Sequence, residues 1–260
     1  MSEIHPSAVI EQGAEIGAGC RIGPFCVVGP KVRLGAGVEL KSHVVVSGRT
    51  EIGADSTLFP FAVVGEIPQD LKFDGEETRL VIGARTRIRE HVTIHTGTAQ
   101  GGGITRIGDD GLFMAGCHIA HDAQVGNRVI VVNNSAVAGH CIIEDDVIIG
   151  GLCGIHQWVR IGRGAIIGAV TMVTKDVLPH GLVQGPRGVL DGLNLVGLKR
   201  AGVARDDITA LRAAFQMLRD GEGTFLDRAH RLKDEATSDP VREMVDFILG
   251  DTDRSFLTPG

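Results

Sequence analysis

The sequence predicts a mainly β chain: a triangular prism of short parallel strands, a parallel β-helix, over residues 1–185, followed by a helical domain over 186–260. Three observations predict it. An aliphatic residue recurs at every sixth position, small residues and glycine sit at fixed offsets from it, and aromatics make up only 4% of a chain that is 43% hydrophobic. A hexad is too short for a helical period and too regular for a sandwich. Three hexads, about 18 residues, complete one triangular coil, and successive coils pair as parallel strands.

The repeat begins at Ile4 and runs through Ile10, Ile16, Ile22, Val28, Leu34, Leu40, Val46, Ile52, Leu58 and Val64. It is interrupted by EIPQDLKFDGEETR and returns for Ile82, Ile88 and Ile94. It breaks again at the glycine-rich GTAQGGGITR, so insertions are expected near 66–80 and 96–106. From Ile107 it resumes through Phe113, Ile119, Val125, Val131, Val137, Ile143, Ile149, Ile155, Ile161, Ile167 and Val173, with Phe113 the sole non-aliphatic. These 26 hexads make eight to nine coils.

Within a strand, positions i and i−2 share a face, so each hexad sends one large and one small residue inward. All 5 cysteines, Cys20, Cys26, Cys117, Cys141 and Cys153, occupy the small slot. They read as small buried hydrophobes rather than as a disulfide framework or metal site. Glycine directly follows the large residue at 12 of the 26 hexads, as a tight corner requires.

Beyond residue 186 the periodicity becomes helical. LDGLNLVGLKRAG joins the prism to a helix that Asp206 or Asp207 can cap, with Ile208, Leu211, Phe215 and Leu218 inward and Gly221 at its end. Thr224 can cap a second helix with Leu226, Ala229 and Leu232. Asp239 and Pro240 open a third, with Val241, Met244, Val245, Ile248 and Leu249, ended by Gly250.

Composition excludes several classes. A net charge of −6 with interspersed signs argues against nucleic-acid binding, and 22% charged residues beside 43% hydrophobic ones exclude a disordered chain. No apolar stretch approaches the roughly 20 residues of a membrane span, and MSEIHPSAVIEQGAEIG lacks the regions of a signal peptide, so no membrane insertion and a cytoplasmic location are expected.

Stacking residues about 18 apart puts His121, Gly139 and Gln157 in one column, with His118, His140 and His156 beside it. None of these histidines occupies an inward slot, so the core does not require them. Imidazole titrates near neutrality, which suits His121 as a general base for a hydroxyl, with Asp122 orienting the ring. The Gly139 N–H, one coil along, is placed to hold an oxyanion. No serine or cysteine nucleophile is evident, so direct transfer is preferred to an acyl-enzyme. His118 and His121 read alternatively as zinc ligands, but no carboxylate or cysteine completes an obvious set, and no metal is expected. A second column, Ala115, Asn133, Gly151 and Ala169, has little side-chain bulk and reads as a groove.

The runs HIAHD (118–122), GEIPQDLKFDGEETR (65–79), IHTGTAQGGGIT (94–105), GNRVIVVNNSAVAGH (126–140), GGLCGIHQWVRIG (150–162) and LNLVGLKRAG (193–202) resemble the acyl-[acyl-carrier-protein]–UDP-N-acetylglucosamine O-acyltransferases, hexapeptide-repeat enzymes that open lipid A synthesis. The resemblance implies a left-handed coil, against the usual right-handed crossover rule. It implies a homotrimer with sites between adjacent prisms. The donor would be a 3-hydroxyacyl chain on the 4'-phosphopantetheine of acyl carrier protein, with no other cofactor, and the acceptor the 3-hydroxyl of UDP-N-acetylglucosamine. By matching position it implies His121 as base, Asp122 as its partner and Gly139 as oxyanion donor. Gln69, Asp70, Lys72, His118, His140, His156 and Gln157 would contact sugar and acyl groups, and Asn194 and Arg200 would lie near the nucleotide. Ala169 resembles the family's acyl-length gauge and implies a short-to-medium chain. Val196 and Ala201 depart from the acidic and basic residues common in the nucleotide segment. Rival readings are the related N-acyltransferase, usually carrying an extra N-terminal domain while this prism starts at Ile4, a zinc-dependent γ-type carbonic anhydrase, and a non-catalytic scaffold.

Overall fold

The computed structural model describes residues 1–252 and 254–258. Among the described residues, twenty-eight strands form three sheets of eleven, nine and eight strands, which are the first, second and third faces of a prism. The first face starts with Glu3–Ile4, the second with Val9–Ile10 and the third with Glu15–Ile16. All prism strands pair in parallel, Glu3 with Arg21 and Ile4 with Ile22, so the coil is 18 residues long. The insertions appear as register offsets: Thr57 pairs with Arg87 and Thr93 with His118. An antiparallel hairpin, Gly181–Gln184 with Val189–Leu193, closes the first face.

The inward columns are sealed, with Leu58, Ile88, Ile119 and Ile149 completely buried. Phe113 is accommodated because its i−2 partner is Gly111, where a Cβ would stand 2.8 Å from the ring. The cysteines behave as small polarisable fillers. All five are buried thiols, and each donates to a carbonyl 15 residues on, as the Ser135 hydroxyl does. Burial pushes the Cys141 thiol up to about 12, so it stays protonated.

Most corners are turned by a residue with φ near +60°, and side chains there stack along the prism. The corner between the first and second faces carries Phe25, His43, Phe61 and His91 with ring centroids 5.0, 5.0 and 5.1 Å apart. The corner between the third and first faces carries Asp55, Arg85, Asp110, Arg128 and Asp146, a ladder of alternating charge in which Arg85–Asp110 and Arg128–Asp146 pair at 2.7 and 2.6 Å. Both insertions leave from the corner between the second and third faces, where the histidine column lies.

Four helices follow: α1 (Leu195–Arg200), α2 (Arg205–Asp220), α3 (Phe225–Glu235) and α4 (Asp239–Leu249). Neither Asp206 nor Asp207 caps α2; Ala204 holds that position without a side-chain bond, and the two carboxylates lie in the first turn, where the helix dipole favours them. Thr224 does cap α3, in a capping box with Asp227. Ser238 precedes α4, and Asp239 and Pro240 begin it. The bundle is tied to the prism by Arg163–Glu243 at 2.6 Å and by the chain end, where Leu257 N–H donates to the buried Asp176 carbonyl at 2.7 Å. No helix among the described residues is long and apolar enough to cross a membrane.

Candidate active site

His121 and Asp122 form the turn after the strand His118–Ile119, at the corner from which both insertions project. Asp122 takes the left-handed conformation (φ 61°), which an aspartate tolerates better than most side chains. The two are neighbours joined by a buried hydrogen bond, His121 Nδ1 to Asp122 Oδ2 at 2.9 Å, with side chains 7% and 1% exposed. A carboxylate at Nδ1 fixes the proton there and leaves the Nε2 lone pair free.

The next coil supplies Gly139 and His140. Gly139 presents no Cβ because the His121 ring fills that space, and among the described residues its N–H meets no acceptor. His140 packs edge-on to His121 at 4.9 Å and flat on Trp158 at 3.8 Å and 4°. Its Nδ1 lies 3.8 Å from Asp122 Oδ2. Burial holds the His140 pKa below its ordinary value, so the ring is neutral near pH 7. On the adjoining strand His118 Nδ1 bonds Thr93 Oγ1 at 2.8 Å, and burial pushes His118 down to about 4. The buried His95 lies edge-on to it at 4.8 Å and is likewise lowered by burial.

Two adjoining clefts surround His121. One, of about 570 Å³, is lined by Gln69, Asp70, Leu71 and Lys72 of the first insertion, by Thr98 and Gln100 of the second, and by His121, His140, Gln157 and Trp158. The other, of about 270 Å³, crosses the second face over Ala120, Ala136, Ala138 and Gly154, with His95, His118 and Gly139 at its polar end. A polar basin opening beside His121 onto a slot of small apolar residues suits a polar acceptor meeting an alkyl chain.

Most expected site residues therefore converge: His118, His121, Asp122, Gly139, His140, Gln157, Gln69, Asp70 and Lys72. His156 does not; it is exposed, its Nδ1 lies 3.1 Å from the Gln157 carbonyl, and it lines neither cleft. Asn194 caps α1, accepting from Gly197 N–H at 2.9 Å and donating to the Gly164 carbonyl at 2.9 Å. With the exposed Arg200 it lies away from the clefts of its own chain. Ala169 is exposed at a corner and lines neither cleft; the small-residue slot runs instead over the second face. The expectation that no carboxylate completes a ligand set with the histidines needs correcting. Asp122 stands with His121 and His140 so that one ligand atom of each lies within 4.8 Å of the others, because the turn folds the carboxylate back beside its own neighbour. Its oxygens already accept from Thr98 and His121, so a cation there would have to displace hydrogen-bonding protons.

Sequence reasoning missed His95, Thr98 and Trp158. His95 and Thr98 border an insertion that shifts the strand offset from 18 to 25, so counting coils misplaces them. Trp158 was within reach, since Asp122, His140 and Trp158 form their own column 18 residues apart.

Known proteins share this architecture. Residues 2–30 and 13–48 match the bacterial transferase hexapeptide family, and residues 176–257 match the family described as Udp N-acetylglucosamine O-acyltransferase, domain 2. The acyl-[acyl-carrier-protein]–UDP-N-acetylglucosamine O-acyltransferase of Paracoccus denitrificans is 68% identical over 202 residues, 78% of this chain and 77% of that one. The enzyme of the same name from Rhizobium johnstonii is 49% identical over 99% of this chain and 95% of its own. The solved UDP-N-acetylglucosamine acyltransferase of Campylobacter jejuni superposes with a TM-score of 0.92 at 38% identity, covering 99% of both chains. Prism and site thus define a hexapeptide-repeat acyltransferase, built as a left-handed parallel β-helix with a C-terminal helical domain. Within that class the chain belongs to the acyl-[acyl-carrier-protein]–UDP-N-acetylglucosamine O-acyltransferase family.

Proposed function

We propose that this protein transfers a 3-hydroxyacyl chain from acyl carrier protein to the 3-hydroxyl of UDP-N-acetylglucosamine, the opening step of lipid A synthesis, in one direct displacement. The observation carrying this reading is the His121–Asp122 pair, with Nδ1 committed to the carboxylate and the ring lying against Gly139, whose N–H meets no acceptor among the described residues. Nε2 takes the proton of the sugar hydroxyl as its oxygen bonds to the thioester carbonyl carbon. Gly139 N–H donates to the oxyanion of the tetrahedral intermediate. Collapse breaks the carbon–sulfur bond, and the phosphopantetheine thiolate takes the proton back from His121. Neutral His118 and His140 act as polar contacts rather than as cations.

A homotrimer completes the site. The second face presents Val9, Val27, Val45 and Val63 outward, and the later part of the first face presents Leu112, Ile130, Ile148 and Ile166. The corner between them exposes Phe25, Phe61, Leu152 and Val170. Packing the second face of one copy on the first face of the next gathers these corners at a common axis. It also sets the His121 corner of one copy beside the α1 corner of the next, so Asn194 and Arg200 would come from a neighbour. A donor carried on acyl carrier protein gives the reaction a cytoplasmic setting, and the chain needs no other cofactor.

The test is transfer of a labelled 3-hydroxyacyl group from acyl carrier protein to UDP-N-acetylglucosamine by the wild type and by His121→Ala. Loss of roughly 10²- to 10⁴-fold in the variant is expected. Full activity in the variant removes the base, whereas no transfer by the wild type overturns the acceptor and directs attention to a 3-amino sugar.

A further inference from the structure

The glycine-rich insertion is built around one carboxylate. Thr98 N–H donates to Asp122 Oδ1 at 2.9 Å and Thr98 Oγ1 to Asp122 Oδ2 at 2.6 Å. That second oxygen is the one His121 Nδ1 meets at 2.9 Å. Gly101 N–H donates to Thr98 Oγ1 at 3.2 Å, which occupies a lone pair and leaves the hydroxyl hydrogen for Asp122. From the opposite side Thr105 Oγ1 accepts the Asp122 N–H at 2.8 Å. A Cβ at Gly101 would run into the Asp122 carboxylate, and one at Gly97 would lie 2.7 Å from Oδ1, so these glycines let the loop close on it. Thr98 and Asp122 are 4% and 3% exposed.

We infer that Thr98 is a positioning residue for the transfer reaction: it locks the Asp122 carboxylate, and through it the tautomer and plane of the His121 ring. The inference rests on His121 being the base. A carboxylate free to rotate about its last bond offers Nδ1 a poorer acceptor, and the ring then loses its fixed direction toward the acceptor hydroxyl. Thr98 borders the larger cleft, but its hydroxyl is committed to Asp122 and Gly101, so its effect belongs in turnover rather than in substrate affinity. The backbone at Thr98 is extended, φ −119° and ψ 155°, which valine also favours. Thr98→Val therefore removes the donor and keeps the shape.

The experiment is steady-state kinetics of Thr98→Val, Thr98→Ser and His121→Ala alongside the wild type, with thermal melting of each. Expected is a kcat about 10- to 100-fold lower in Thr98→Val with KM within about threefold, as for loss of one bond to a charged group, and recovery to within about threefold in Thr98→Ser. Thr98→Ala gives the same reading should the valine variant not fold. Wild-type kcat in Thr98→Val, a rise in KM alone, or equal losses in the serine and valine variants would each overturn the inference while His121→Ala stays inactive. An active His121→Ala would remove the base itself.

Discussion

The His121 ring occupies the space that a side chain at Gly139 would need: an added Cβ would stand 2.5 Å from Cε1 and 2.8 Å from Nε2. The position is not in the left-handed region, so the backbone would accept alanine. Gly139→Ala should fold normally by circular dichroism and lose about 10²-fold or more in kcat/KM. The displaced ring and the crowded N–H both act on the transition state. Near wild-type turnover would separate Gly139 from catalysis.

Burial of His118 makes stability fall in acid. Its folded pKa of about 4 lies below the ordinary value of 6.5, so between these values the unfolded chain binds the proton and the folded chain does not. Stability is therefore full above about pH 6.5 and declines as pH falls toward 4, by up to roughly 3 kcal/mol at about 1.4 kcal/mol per pKa unit. Urea denaturation at pH 7 and pH 5 should show a smaller loss for His118→Gln than for the wild type. An equal loss would place the acid sensitivity elsewhere.

Phe61 is 49% exposed and stacks between His43 and His91 on the corner assigned to the trimer axis. Phe61→Glu places three carboxylates near one axis and should shift sedimentation from three times 27.5 kDa toward a single chain. Activity should fall with it, since Asn194 and Arg200 would no longer reach a neighbouring cleft. A trimeric, active Phe61→Glu would move the interface to other surfaces.

Ala169 stands one coil beyond Gly151, next to the exposed Val170 and Met172. If it limits the acyl chain, Ala169→Gly should move the optimum of a 3-hydroxyacyl donor series toward longer chains. An unchanged optimum would assign the limit to neighbours such as Met172.

How much was legible followed from the period of the fold. Wherever the offset stays at 18, sequence distance is spatial distance, and the column His121, Gly139, Gln157 follows from the sequence alone. The two insertions broke that equivalence. Thr98 lies 24 residues from Asp122 yet donates both its N–H and its hydroxyl to it, and no spacing rule predicts a loop folding back over a carboxylate. His156 shows the other side of the rule: a place beside the right column does not make a side chain turn into the cleft of its own chain.

The low aromatic content and the buried cysteines were determined by the sequence alone, because a narrow prism admits one large and one small or modest residue per hexad and leaves little room for a ring. Which corner does chemistry was decided only by the tertiary structure. The same backbone turn, with φ near +60°, carries an aromatic stack on one corner, a charge ladder on another and the His121–Asp122 pair on the third. Only at that third corner do the insertions close over the turn, excluding water from an imidazole and a carboxylate that would otherwise be solvated surface groups.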